Sequence, residues 1–224
     1  FTVLLNIKVN NSTNNKHEDI SLKNIFKDKI LNLFSLYVLI GTIAMSTALG
    51  LKMLTLTNYF KFSDNVATNY LLIVGLLADI FGIIALKYLT PKNDYITITI
   101  KFGIRFFAYV IAFISNNIVI SLIAITWSIF ISTSYENICD AVYINRLENK
   151  YQLSFSNICH IIRFLGEAIG VYLCGLMYEI GLRYMLGLSA LLMIFQISLA
   201  YYLIYLRKRE KINIEVNKNE KIRN

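Results

Sequence analysis

The sequence predicts an all-α integral membrane protein with six transmembrane helices. Three observations predict it. Of 224 residues, 56% are hydrophobic and only 16% are charged, against about 45–50% and about 25% in soluble domains. Proline occurs once, and mean hydropathy is +0.55. The charges also cluster between apolar runs of about 20 residues, the length a helix needs to cross a bilayer.

The runs lie at about 31–56, 66–88, 95–115, 117–136, 156–179 and 182–206. Polar breaks separate them at Asn58–Asn65, Thr90–Asp94, Ser115–Asn117, about 137–155, and Glu179–Gly181. Residues 1–30 precede the first run. Phe1–Val9 is apolar but too short to span, and reads as the tail of a preceding helix, so the chain is expected to be a fragment. Residues 10–22 are polar, and 23–30 are basic and weakly amphipathic, as an interfacial linker would be. From Arg207 to Asn224 the chain is charged and is expected to be a disordered cytoplasmic tail.

Lysine and arginine set the orientation. With both termini in the cytoplasm, that side holds Lys23, Lys27, Lys29, Lys87, Lys92, Arg146, Lys150 and the Arg207–Lys211 cluster. The outer side holds Lys61 and Arg183, with Lys52 near it. Six spans with both ends inside are self-consistent, and the expected location is the cell membrane. The Ile-, Asn- and Lys-rich composition points to an AT-rich bacterium.

The net charge of +8 does not imply nucleic acid, because the basic residues sit at span ends rather than on one face. Cys139, Cys159 and Cys174 lie in or beside spans and form no disulfide framework. The adjacent Cys159 and His160 point in different directions on a helix and make a poor metal site. No metal or cofactor is expected. Nor is an enzyme: no Walker A loop or H-E-x-x-H occurs. A rhomboid-like G-x-S-G fails as well, since Gly187-Leu-Ser189 lacks the last glycine and His160 lies upstream.

Within the second run stands Gly75-Leu-Leu-Ala-Asp79-Ile-Phe-Gly82. It resembles the G-x-L-A-D-R-x-G-R loop motif of the major facilitator superfamily, in the degraded copy that joins the eighth and ninth helices. Tyr143-Ile-Asn-Arg-Leu147 and Arg163-Phe-Leu-Gly-Glu-Ala-Ile-Gly170 resemble the tenth-to-eleventh helix region of bacterial efflux members. The resemblance covers about residues 23–206. It implies the carboxy-terminal half of a twelve-helix transporter, built as two three-helix repeats. It also implies secondary transport of a small molecule by alternating access, with efflux one direction, and a separate amino-terminal half as partner. The competing reading is a non-catalytic six-span subunit or regulator that assembles with another membrane protein. The sequence departs from the family at Ile80 and Ile83, where basic residues are usual. Residues 80–89 also stay apolar, which favours a helix continuing past Asp79.

Charges inside spans are costly and usually pair or face a water-filled path. Asp79, Arg105, Arg163 and Glu167 are the transport or gating candidates. Arg163 and Glu167 are four residues apart, on one helical face. They form either a proton-linked or gating site, or a structural ion pair at a helix contact. Gly166 and Gly170 adjoin them with the spacing that lets helices approach closely. Asp79 and Arg105 lie at matching depths in neighbouring spans and are candidates to pair, whereas Lys101 is placed to snorkel. Ser128, Ser132, Glu136 and Asp140 recur every four residues, a polar row that lines an aqueous cavity or bonds to a neighbouring helix. Trp127 is a candidate substrate contact, with lipid or core packing as its alternative.

Overall fold

The computed structural model describes residues 29–88, 103–115, 117–144 and 149–223, with side chains at 29–84, 103–115, 117–131, 155–206 and 208–209. All regular structure among these residues is helical. The segment 1–28, Lys101, Cys139 and the side chains of Ser132, Glu136 and Asp140 lie outside them.

Helix α1 spans Lys29–Leu49. Gly50 closes it with an amide donated to the Ser46 carbonyl at 2.8 Å. A further α turn, Lys52–Leu54, and a π turn, Thr55–Tyr59, carry the same apolar rod onward. It ends at Lys61, whose φ of 59° is the sole positive value at a described non-glycine residue.

Helix α2 spans Asp64–Tyr88 and starts with an acidic residue in its first turn, which suits the positive helix end. It passes straight through Gly75, Asp79 and Gly82, so this stretch is helix rather than loop. That is the outcome the apolar residues after Asp79 favoured. Helix α3 is Ile104–Ser115 and helix α4 is Ile118–Ile144. Asn117 caps α4: its Oδ1 accepts from the amides of Val119 at 2.8 Å and Ile120 at 3.4 Å.

Helix α5 is Asn149–Ile180 and α6 is Leu182–Arg223. The single residue between them, Gly181, has φ of +143°, a conformation that side-chain-bearing residues rarely adopt. Two expectations are corrected here. The polar stretch 137–155 is mostly helix, with helical backbone through Ile144 and again from Asn149. The charged tail continues α6 to Arg223. Both stretches are poor in proline and glycine and rich in helix formers, so polarity alone was a poor sign of a break.

Helix α1 packs against α5 and α6, α2 against α4, and α3 against both α4 and α6. Helices α5 and α6 also touch, as do α1 and α4. One layer therefore runs α5–α1–α4–α2, with α6 and α3 behind it. The core follows α1 and α6, with Phe34, Met185, Leu186, Met193 and Leu203 fully buried.

Four helical stretches are long and apolar enough to cross a membrane: Lys29–Tyr59, Asp64–Ile84, Phe155–Ile180 and Leu182–Leu206. Ile104–Ser115 and Ile118–Ile131 are shorter apolar stretches among the described residues. In the most apolar windows of α2 and α5 only 22% and 17% of residues are buried. Leu72, Leu76, Ile83, Ile161, Phe164 and Tyr172 stand open. Apolar surface on that scale suits a lipid or protein neighbour rather than water.

Candidate functional site

The glycine pair of α5 makes a close backbone contact with α1. A methyl group added at Gly166 would stand 2.9 Å from Thr42 Cβ and 3.1 Å from the Leu39 carbonyl. At Gly170 it would stand 2.6 Å from Ser46 Cβ and 2.8 Å from the Ile43 carbonyl. Small residues face small residues, and the α1 and α5 backbones approach closely as the spacing predicted. Gly75 on α2 differs, since nothing lies within 4 Å of such a group. Gly82 is buried.

This contact fixes how α5 is turned. With Gly166 and Gly170 against α1, Glu167 is exposed and Arg163 half-buried at the flank of the same contact. Asp79 is likewise exposed on α2. Arg105 is not: it is 3% exposed, and its Nε has no hydrogen-bond partner. Asp79 and Arg105 are not brought together. Helix α3 packs on α4 and α6 rather than on α2, so matching depth does not bring contact.

Ser128 points into the α3–α4 contact, where it is fully buried and shares a hydrogen bond with the Tyr109 hydroxyl. The row that begins at Ser128 therefore starts at a helix contact rather than at a cavity wall. The bond sets backbone position 105 of α3 level with position 132 of α4, the two helices running antiparallel. Trp127 is 37% exposed. It stacks on Phe130 at 6.0 Å, and Phe130 meets Phe81 of α2 at 4.9 Å.

Several joining residues were not singled out by sequence. Tyr70 and Thr126 share a hydrogen bond between α2 and α4. Ser189 of α6 donates to the Ala44 carbonyl of α1 at 2.5 Å. The Tyr59 hydroxyl donates to the Tyr178 carbonyl at 2.7 Å, and Asn58 Nδ2 to the Tyr178 hydroxyl at 2.6 Å. Each is a hydroxyl or amide within or at the end of an apolar run. Such groups seek a partner when water is absent, and that was the available signal.

Among the described residues, no group of three or more metal-ligating side chains occurs. Cys159 and Cys174 are buried free thiols. No protein-family model, curated protein or solved structure matches the chain.

Proposed function

We propose that this chain is the six-span half of a secondary transporter, moving a small molecule across the cell membrane by alternating access with an amino-terminal half. The observation that carries the reading is a symmetry in the helix pairings. Exchange α1 with α4, α2 with α5 and α3 with α6. The α1–α5 contact becomes α4–α2, and α1–α6 becomes α4–α3. The α3–α6 and α1–α4 contacts map onto themselves. The α5–α6 pair lacks a strong counterpart, because α2 and α3 meet little among the described residues, and the slight α4–α5 contact is matched only where the turns after α1, Lys52–Tyr59, meet α2. Two three-helix repeats related by a pseudo-two-fold axis produce this pattern, and such repeats are a hallmark of secondary transporters.

Helices α2 and α5 are counterparts under the exchange. Each leaves an apolar face open, and each carries one exposed acid away from its ends, Asp79 or Glu167. In this reading those faces meet the other half, and the two acids sit at the moving boundary. Glu167, beside the tight α1–α5 crossing, is the gating or proton-carrying candidate. Six spans with both termini in the cytoplasm complete the arrangement, in the sense given by the lysine and arginine distribution.

The test is reconstitution. The chain is co-reconstituted with matching amino-terminal halves, and uptake of a small-molecule panel is followed under an imposed proton gradient. Gradient-dependent uptake that needs both chains supports the reading. Gradient-dependent uptake by the purified monomeric chain alone would replace it with a complete six-span carrier. Absence of uptake with every partner, although the chains co-purify, would favour the subunit or regulator reading.

A further inference from the structure

At the end of the bundle where α4 and α6 begin, a cavity of about 330 Å³ is lined by Tyr59, Asn117, Ser121, Gly181, Arg183 and Tyr184. Three features bear on what it can hold. First, α4 and α6 both present their first turns to it, beside the last residue of α5, Ile180, whose negative helix end partly offsets them. Second, the Arg183 guanidinium lies 5.1 Å from the ring centres of both Phe113 and Tyr184, and the residue is only part-buried. The two rings hold the cation in place without neutralising it. Third, the Asn117 carbonyl oxygen is occupied by the helix-capping amides, which leaves its NH₂ group as a donor.

Beside this cavity, whose walls also carry Ile118, Ile180 and Leu182, runs an apolar groove of about 380 Å³ between α3, α5 and α6. Tyr184 lines both. The groove continues past Phe113, Leu188 and Leu191 to Ile194. From Arg183 to Ile194 is eleven residues of helix, a rise of roughly 16 Å. One leaflet of hydrocarbon is about 15 Å deep, half of the usual core. The groove is thus as long as one leaflet is deep, and its cationic end lies where headgroups lie.

The geometry points to a binding site for one anionic phospholipid, its phosphate held by Arg183 and Asn117 at the α4 and α6 helix ends and one acyl chain laid along the α3–α6 groove. Charge selects the headgroup, and the apolar channel selects an amphiphile over a free anion. The site lies away from Asp79 and Glu167 and does not depend on the transport reading.

The test is a native mass-spectrometric titration of the full chain, purified in a neutral detergent. The probes are dioleoylphosphatidylglycerol, dioleoylphosphatidylcholine and inorganic phosphate. One phosphatidylglycerol should bind in preference to phosphatidylcholine, and Arg183→Gln should weaken it roughly tenfold or more, as expected for a lost charge-assisted hydrogen bond. Leu191→Trp, which fills the groove from an exposed position, should weaken it as well while leaving the headgroup contacts intact. Inorganic phosphate alone should not be retained. The proposal is overturned if phosphatidylglycerol binds wild type and both variants equally, or no more tightly than phosphatidylcholine. It is also overturned if inorganic phosphate binds as well as the lipid, since the site would then serve a free anion.

Discussion

Gly170 and Gly175 lie on the same helix and give a controlled test of the α1–α5 crossing. Replacing a helical glycine by alanine ordinarily gains up to about 1 kcal/mol, because alanine loses less backbone entropy. At Gly175 nothing lies within 4 Å of the added methyl, so Gly175→Ala should be neutral or stabilising. At Gly170 the methyl meets Ser46 Cβ at 2.6 Å, the Ile43 carbonyl at 2.8 Å and the Thr47 amide nitrogen at 3.2 Å. Two of these are backbone atoms of α1, which cannot rotate away. Overpacking of this kind costs about 1–3 kcal/mol. The cost outweighs the propensity gain over most of its range, so the two variants should differ by about 1–3 kcal/mol, Gly170→Ala being the less stable. The assay is reversible unfolding in mixed micelles, followed by far-ultraviolet circular dichroism. Equal stabilities, or a more stable Gly170→Ala, would refute the close crossing of α1 and α5.

Two further outcomes follow from the same packing. Tyr109→Phe or Ser128→Ala alone strands a buried hydroxyl at the α3–α4 contact, at a cost of about 1–3 kcal/mol. The double variant should lose less than the sum, and strict additivity in the unfolding assay would contradict the bond. In the reconstituted transporter, Glu167→Gln should reduce gradient-driven uptake. If Arg163 and Glu167 serve only to balance charge, Arg163→Met with Glu167→Met should recover much of it. A double variant that reaches the membrane but stays inactive assigns Glu167 to proton coupling, and normal uptake by Glu167→Gln at all pH values removes it from the mechanism.

The helices were legible because apolar run length is a strong signal. Breaks at Asn117 and Gly181 were legible because each lies in a short polar stretch between apolar runs, whereas the end of α1 at Gly50 falls inside the run 31–56 and was not. The limits of polarity as a boundary marker show at 137–144 and 207–223, where helical backbone crosses charged sequence. The glycine pair of α5 declared its role through spacing alone. The charged candidates did not, because depth along a helix can be counted from sequence but rotation cannot. Arg105 and Asp79 match in depth, yet one is buried on α3 and the other exposed on α2. Ser128 lay in a row that fitted a cavity wall as well as a helix contact. Only the neighbouring Tyr109, nineteen residues away, decides between the two. The Arg183 cluster was harder still, since its second ring, Phe113, comes from a different span.

The central claim is six crossings, and it is most exposed at α3 and α4, whose described apolar stretches are the shortest. The direct measurement is labelling of single cysteines by an impermeant thiol reagent in intact cells, in a background without Cys139, Cys159 and Cys174. With six crossings and cytoplasmic termini, cysteines placed at Ser63 and Asn117 label from outside. Those at Ser12, Asn149 and Asn217 label only after the membrane is permeabilised. Protection of Asn117 together with Asn149 would mean that α3 and α4 do not cross, leaving four spans. Outside labelling at Ser12, Asn149 and Asn217 would invert the orientation.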